Sequence, residues 1–261
     1  MNVLASIFVV AAGLAFGSFL NVCIARLPWH RSIVQPRSRC PHCAAPIAAR
    51  DNIPLLSFLL LQGRCRACRK AIAWRYPAIE LATAALWLLC WLRYGPTLQA
   101  FGMAVLSFLL LGLAAMDAET MRLPNTFTLP GVVLGVVYSG AMCGEGWARC
   151  AVLSSSRAAI AAGILLAVSG VYWLLRRREG MGIGDVKLLA MIAAWLAPGP
   201  ALLALFLAVL STAIYGLSLS VVRRRLDATV PLPFGSFLCA AALYAAFQGR
   251  QIVGWYMMFY H

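Results

Sequence analysis

The residues best equipped for chemistry are four paired cysteines and two isolated aspartates. Cys40 and Cys43, in CPHC, are separated by 21 residues from Cys65 and Cys68, in CRAC. Two such knuckles can set four thiolates tetrahedrally around one Zn²⁺, each pair chelating through a tight turn. A redox dithiol and uncommitted thiols are the alternatives. A zinc ion with four thiolates has no open position, so it would fold a loop and not hydrolyse a substrate. His42 lies between two of the ligands, but four cysteines already complete the shell.

Only eight residues are acidic, so the place of each is informative. Asp117 stands at the end of an apolar run, in LLLGLAAMDAETMRLPN, and Asp185 at the start of another, in GMGIGDVKLLA. An ionisable group near lipid depth is costly and argues for a partner or a function. Two neighbouring carboxylates share a proton, so one can act as a base on water while the other, protonated, polarises a peptide carbonyl. Gly180, Gly182 and Gly184 ahead of Asp185 would let the backbone approach a substrate strand without a Cβ clash. The structural alternative is that Asp185 caps the helix that follows and Asp117 pairs with Arg122 or Lys187. Spacing alone leaves both readings open. Glu80, in YPAIEL, is a candidate buried polar group. Glu119 reads as solvated or as a neighbour of Asp117, and Asn21 and Arg26 as orienting the first helix against the cysteine loop.

The elements that must carry these residues are membrane helices. Of the 261 residues 62% are hydrophobic and 11% charged, and mean hydropathy is +0.83. Soluble domains are about 45–50% apolar and about 25% charged, so the chain reads as an all-α polytopic membrane protein. Apolar runs fall at about residues 3–22, 78–95, 98–116, 126–142, 158–175, 186–198, 200–222 and 232–249. A span needs about 20 such residues, since its backbone must satisfy itself, and eight spans are expected. The proline-glycine break APGP at 197–200 separates the sixth run from the seventh. Gly102, Gly112, Gly135, Gly163, Gly170 and Gly216 suit close helix packing in lipid.

Formal net charge is +14, but its distribution points to topology, not to nucleic acid. Ten basic residues lie between Arg26 and Arg75, and two triplets, Arg176–Arg178 and Arg223–Arg225, close apolar runs. With the 23–77 loop inside, 18 of the 22 basic residues fall on the cytoplasmic side, leaving Arg93, Arg149, Arg157 and Arg250 outside. This positive-inside pattern puts both termini in the periplasm and both aspartates at one face. The loop's arginines suit anionic headgroups of the bilayer. The first run lacks a basic residue before it and a small-residue cleavage site, so it reads as a retained span. The expected divisions are a first span (1–22), a cytoplasmic four-cysteine loop (23–77) and a seven-helix region (78–261).

Several motifs in order then make the chain recognisable. GSFLNVCIARLP at 17–28, the two CxxC pairs, NIPLLSFLLLQGRC at 52–65, RYPAIELATA at 75–84, Asp117 followed by RLPN, Gly-x-Gly-Asp-x-Lys at 182–187 and PFGSFL at 233–238 together resemble the type IV prepilin peptidases of the GxGD aspartic protease group. The resemblance implies an eight-helix inner-membrane enzyme. It would cut prepilins or type II secretion pseudopilins after the glycine ending a basic leader, at the cytoplasmic face. It would then methylate the new amino terminus from S-adenosylmethionine. Asp117 and Asp185 stand at the positions of the protease aspartates, with Gly182, Gly184 and Lys187 as support. The cysteine loop goes with the methyltransferase-containing version, and Glu80 is the candidate for a polar role at the methyl donor. Ser236 departs from the expected PFGPFL and puts the local helix start in question. Cys143 and Cys150, in an outer loop, are candidates for a disulfide. A transporter with an aspartate cation site is the competing reading, but it would need polar groups nearer mid-span.

Overall fold

The computed structural model describes residues 2–144, 146–177, 182–223 and 232–259. Gly180, Arg178, Arg224 and Arg225 lie outside the described residues. Among the described residues there is no strand, only the isolated bridges Arg39 to Pro46 and Arg64 to Ala71. The helices are α1 (Val3–Arg26), α2 (Leu56–Leu60), α3 (Arg75–Tyr94), α4 (Leu98–Thr120), α5 (Asn125–Ala141), α6 (Trp147–Arg176), α7 (Ile183–Trp195), α8 (Pro198–Arg223) and α9 (Phe234–Met257). Every apolar run of the sequence lies on a helix, and the break between α7 and α8 falls at Leu196 and Ala197, so that APGP opens α8 with Pro198 at the first helical position, where its missing N–H costs nothing.

Among the described residues four helical stretches are long and apolar enough to cross a membrane: Val3–Trp29, Leu98–Thr120, Trp147–Arg176 and Pro198–Val222. The other runs are shorter or more polar. At 1.5 Å per residue the 13 residues of α7 reach only about 20 Å, against a hydrocarbon core of about 30 Å. The fifth run proves longer than its apolar stretch, since α6 starts at Trp147, not near 158. Its polar first turns are held by tertiary bonds that hydropathy does not register. Ser154 Oγ donates to Ala194 O at 2.7 Å and Arg157 Nη2 to Ser139 Oγ at 3.1 Å.

The chain divides into two compact units, Met1–Gly112 and Leu113–His261. In the first, α1 lies against α3 at a glycine seam. A Cβ on Gly13 would stand 2.6 Å from Ala84 Cα, and one on Gly17 2.7 Å from Glu80 Cα, so the small-xxx-small pair lets the two backbones meet. Asn21 Nδ2 crosses the seam to Tyr76 O at 3.0 Å. The glycines expected to do this work divide: Gly135 abuts Trp195, whereas a Cβ on Gly163 or Gly170 would meet nothing within 4 Å.

In the second unit α7 is buried on nearly every side, with Leu188, Met191, Ile192 and Ala194 inaccessible, as expected of a helix apolar all round. Its C-terminal end is pinned. Trp195 Nε1 donates to Gly131 O at 2.8 Å, and the Trp195 ring stacks on Tyr138 with centroids 5.0 Å apart. Its N-terminal end carries Asp185.

Candidate functional site

Asp117 sits on the last turn of α4, 5% exposed. Directly after it the chain turns through Met121 (φ 51°), whose N–H donates to Asp117 O at 2.8 Å. Asp117's carboxylate meets the N-terminus of α9. The N–H of Ser236 donates to Oδ2 at 2.6 Å and its hydroxyl to the same oxygen at 2.9 Å. Pro233, the residue before α9, makes no side-chain cap, so the aspartate supplies from another helix the acceptor that an orphan first-turn N–H requires. The approach depends on Gly235: a Cβ there would lie 2.9 Å from Asp117 Cγ and 3.1 Å from Leu123 Cδ1. α9 starts at Phe234, so serine in place of the expected proline does not displace the helix start.

Asp185 is the third residue of α7, after Gly182 at the cap position. Its N–H donates to Gly182 O at 3.1 Å, and its carboxylate takes a hydrogen bond from the Gly182 backbone. The carboxylate at the third position thus caps the start of α7 as the acidic half of a capping box does, with glycine offering no side chain for the other half. Capping does not isolate the residue, because the charges of Asp117 and Asp185 act on each other and on the buried thiol of Cys239, one turn beyond Ser236. Leu123 is wedged among these parts. A Cβ on Gly184 would come within 3.1 Å of Leu123 Cβ, so Gly184 admits that side chain. Gly182 has an ordinary φ of −74° and is exposed, with room for a Cβ. Lys187 Nζ donates to Asn125 Oδ1 at 2.8 Å; it joins the start of α5 to α7 instead of pairing with Asp117.

Sequence reasoning placed neither Leu123 nor Gly235 here, and it noted Ser236 only as a departure from pattern. The available signal was the glycine and serine at the start of the last apolar run, beside the leucine of RLPN.

The cysteine loop belongs to the first unit. The Sγ atoms of Cys40, Cys43, Cys65 and Cys68 all lie within 4.8 Å of one another, and Cys40 Sγ is 3.9 Å from Cys68 Sγ. Four sulfurs at about 2.3 Å from a tetrahedral ion stand about 3.8 Å apart, so the cluster fits a single metal ion. The two knuckles repeat one geometry. Cys40 N–H donates to Ala45 O and Ala44 N–H to Cys40 O, as Cys65 N–H does to Lys70 O and Arg69 N–H to Cys65 O. Ala44 and Arg69 turn the chain with φ of 56° and 58°. The backbone N–H groups of Cys43 and His42 hold the Cys40 thiol down to about 6, which favours the ligating thiolate. A bidentate pair, Arg66 Nε and Nη2 on Asp51 at 2.8 and 2.6 Å, braces the loop.

Glu80 is buried on α3 and accepts from Leu55 N–H at 2.9 Å, with Ser18 also bonded to it. It ties the loop segment at Leu55 to α3. Arg26 holds the loop's start by donating to Ser32 O and Pro36 O. Cys143 and Cys150 are disulfide-bonded, with Cα atoms 6.2 Å apart.

Known proteins match along most of the chain. Residues 11–94 fit the bacterial peptidase A24 N-terminal domain and residues 104–217 the type IV leader peptidase family. A protein of Klebsiella pneumoniae named prepilin leader peptidase/N-methyltransferase is 42% identical over 204 residues, covering 72% of this chain and 84% of its own. Proteins of the same name from Aeromonas salmonicida (37% over 272 residues, 94% and 91% covered) and Burkholderia pseudomallei strain 1026b (37% over 275 residues, 93% and 85% covered) are similar over nearly the full length. No solved structure matches. With both segments in order and the similarity running through the cysteine loop and both aspartates, the chain belongs to the type IV leader peptidase family.

Proposed function

We propose that this protein removes the short basic leader of type IV prepilins, type II secretion pseudopilins or both, cutting after a glycine, and then N-methylates the exposed amino terminus. Asp117 and Asp185 are the proposed catalytic residues. The observation that carries this reading is that the ends of α4, α7 and α9 bring a buried carboxylate, Asp117, and a half-buried one, Asp185, within reach of each other's charge. One carboxylate takes a proton from water, whose oxygen attacks the scissile carbonyl. The other, protonated, donates to the carbonyl oxygen, and the proton passes on to the departing amine as the tetrahedral intermediate collapses.

Eight spans with both termini periplasmic, in a bacterial inner membrane, suit this chemistry. The 17 residues of α5 separate its two ends by about 26 Å. Leu123, beside the aspartates, precedes one end, and the Cys143–Cys150 disulfide follows the other. Disulfides persist in oxidising compartments, so the disulfide end fits the periplasm and the aspartate end the cytoplasmic face, where basic residues concentrate. There the four-cysteine loop would hold Zn²⁺ as a structural ion through Cys40, Cys43, Cys65 and Cys68. S-adenosylmethionine supplies the methyl group, and Glu80 is the polar residue we assign to that half. Gly182 and Gly184 would admit the substrate backbone, and Lys187 would support the start of α7.

Mass spectrometry of a prepilin incubated with membranes bearing the protein, with and without S-adenosylmethionine, reads cut and methyl group together. Asp117→Asn and Asp185→Asn should each abolish cleavage while the protein still inserts. Substantial cleavage by either variant would sink the aspartyl mechanism.

A further inference from the structure

Ser236 is unusual in giving both of its donors to one carboxylate oxygen. Its N–H and its hydroxyl converge on Asp117 Oδ2 at 2.6 and 2.9 Å, and the hydroxyl also lies 2.9 Å from the carbonyl of Ala114, one turn earlier on α4. We infer that Ser236 is the positioning residue of Asp117: it fixes the rotation of the carboxylate and leaves Oδ1 as the oxygen that exchanges protons during cleavage. The inference rests on the role proposed for Asp117.

The geometry serves two protonation states without moving a heavy atom. A hydroxyl has one hydrogen and lone pairs that accept. When Asp117 is charged, the Ser236 hydrogen points to Oδ2. When Asp117 carries a proton on Oδ1, Oδ2 becomes the carbonyl oxygen and still accepts from Ser236, while the Ser236 hydrogen can also turn to the Ala114 carbonyl. The backbone N–H stays on Oδ2 throughout. A carboxylate held this way enters each step already oriented, which is the arrangement that limits reorganisation during catalysis. A proline at 236, as in the PFGPFL pattern, has neither N–H nor hydroxyl and could make neither bond; serine supplies both here.

The test compares Ser236→Ala, Ser236→Cys and Ser236→Thr in detergent-solubilised full-length protein acting on a synthetic prepilin peptide. Losing the hydroxyl while keeping the N–H should lower kcat for cleavage about five- to tenfold, the net worth of one ordinary hydrogen bond, with KM within about twofold. Cysteine, isosteric but a weak donor, should fall with alanine, and threonine should recover most of the rate. Full kcat in both Ala and Cys variants overturns the inference. So does an equal loss in all three with KM raised, which would mark a packing role. Asp117→Asn, run beside them, separates the failures. If it still cleaves, the proposed aspartyl mechanism falls; if it is dead while Ser236→Ala and Ser236→Cys are fully active, only the role of Ser236 falls.

Discussion

The cysteine loop and the aspartate site solve opposite problems. The loop brings together four residues from one short segment by using the same eight-residue turn twice, at 39–46 and 64–71, so its geometry is almost wholly local. The aspartate site joins residues 117, 185 and 236, from three helices, and is assembled by helix ends and by the missing side chains of Gly184 and Gly235. Four thiolates leave an ion no open position, which suits a fold-holding role. Two carboxylates that keep hydrogen-bond partners and feel each other's charge retain the freedom to exchange a proton. The same chain thus builds a four-thiol cluster locally and a carboxylate pair at long range.

The sharpest way to break this contrast is to put a methyl group where the long-range site has none. Gly235→Ala would place Cβ 2.9 Å from Asp117 Cγ and 3.0 Å from Oδ2, closer than real Cβ contacts. The carboxylate or the start of α9 must therefore shift. A shift on the order of 1 Å at a reacting group costs about 100-fold in rate, while overpacking costs about 1–3 kcal/mol in stability. Cleavage should fall about 100-fold in protein that still inserts. Gly182→Ala meets no comparable obstacle, so its rate should stay within about threefold of wild type unless a substrate strand runs against that backbone. A large loss at Gly182 in a normally melting protein would therefore place the substrate there, and an unaffected Gly235 variant would remove the close approach from the mechanism.

The difference between the two regions also explains what was readable. All eight apolar runs lie on helices, and CxxC spacing led to the thiol cluster, because both signals are carried by residues near one another in sequence. Asp117 and Asp185 stood out because acids are scarce, but their neighbours did not. Ser236 reaches Asp117 across 119 positions, a relation no local pattern encodes. Leu123 and Gly235 matter through shape alone. The glycine seam of α1 was in plain view as Gly13-x-x-x-Gly17, whereas Gly163 and Gly170, equally glycine-like in sequence, face open space. Whether a small residue packs depends on what lies opposite, and that is settled only once the helices are assembled.

Symmetry makes the next test. If the two knuckles are equivalent halves of one site, Cys40→Ser and Cys65→Ser should behave alike. Each should abolish the zinc, roughly one ion per chain, that metal analysis of the wild type is expected to find, and open the 30–74 segment to protease. Methylation should be lost, whereas cleavage, which we propose for the aspartates of the other unit, should stay within about threefold of wild type. Retention of zinc in one variant but not the other would mean that the halves are unequal. Parallel loss of cleavage would end the separation between a closed scaffold and a reactive site.

The smallest effect belongs to the ion pair bracing the loop. Arg66 is 56% exposed in its side chain and Asp51 10%, and pairs of this kind contribute little because water and salt screen them. The hydrogen bonds from Arg66 hold the Asp51 carboxyl below the usual carboxylate range. A lowered carboxylate value means that the stabilisation is fully present above the ordinary value of about 4 and disappears as pH falls through the lowered one. At neutral pH the pair is intact, and salt is the cleaner lever, since acid would also protonate the cysteines. Raising salt to about 1 M, where the screening length shrinks to about 3 Å, should modestly speed amide exchange in the loop of the wild type. Asp51→Asn should start at the faster rate and respond little. Because the knuckles are built by their own backbone bonds and thiols, neither change should release metal. If Asp51→Asn did release it, the cysteine site would depend on a contact outside its two turns and would be less local than its repeated geometry implies.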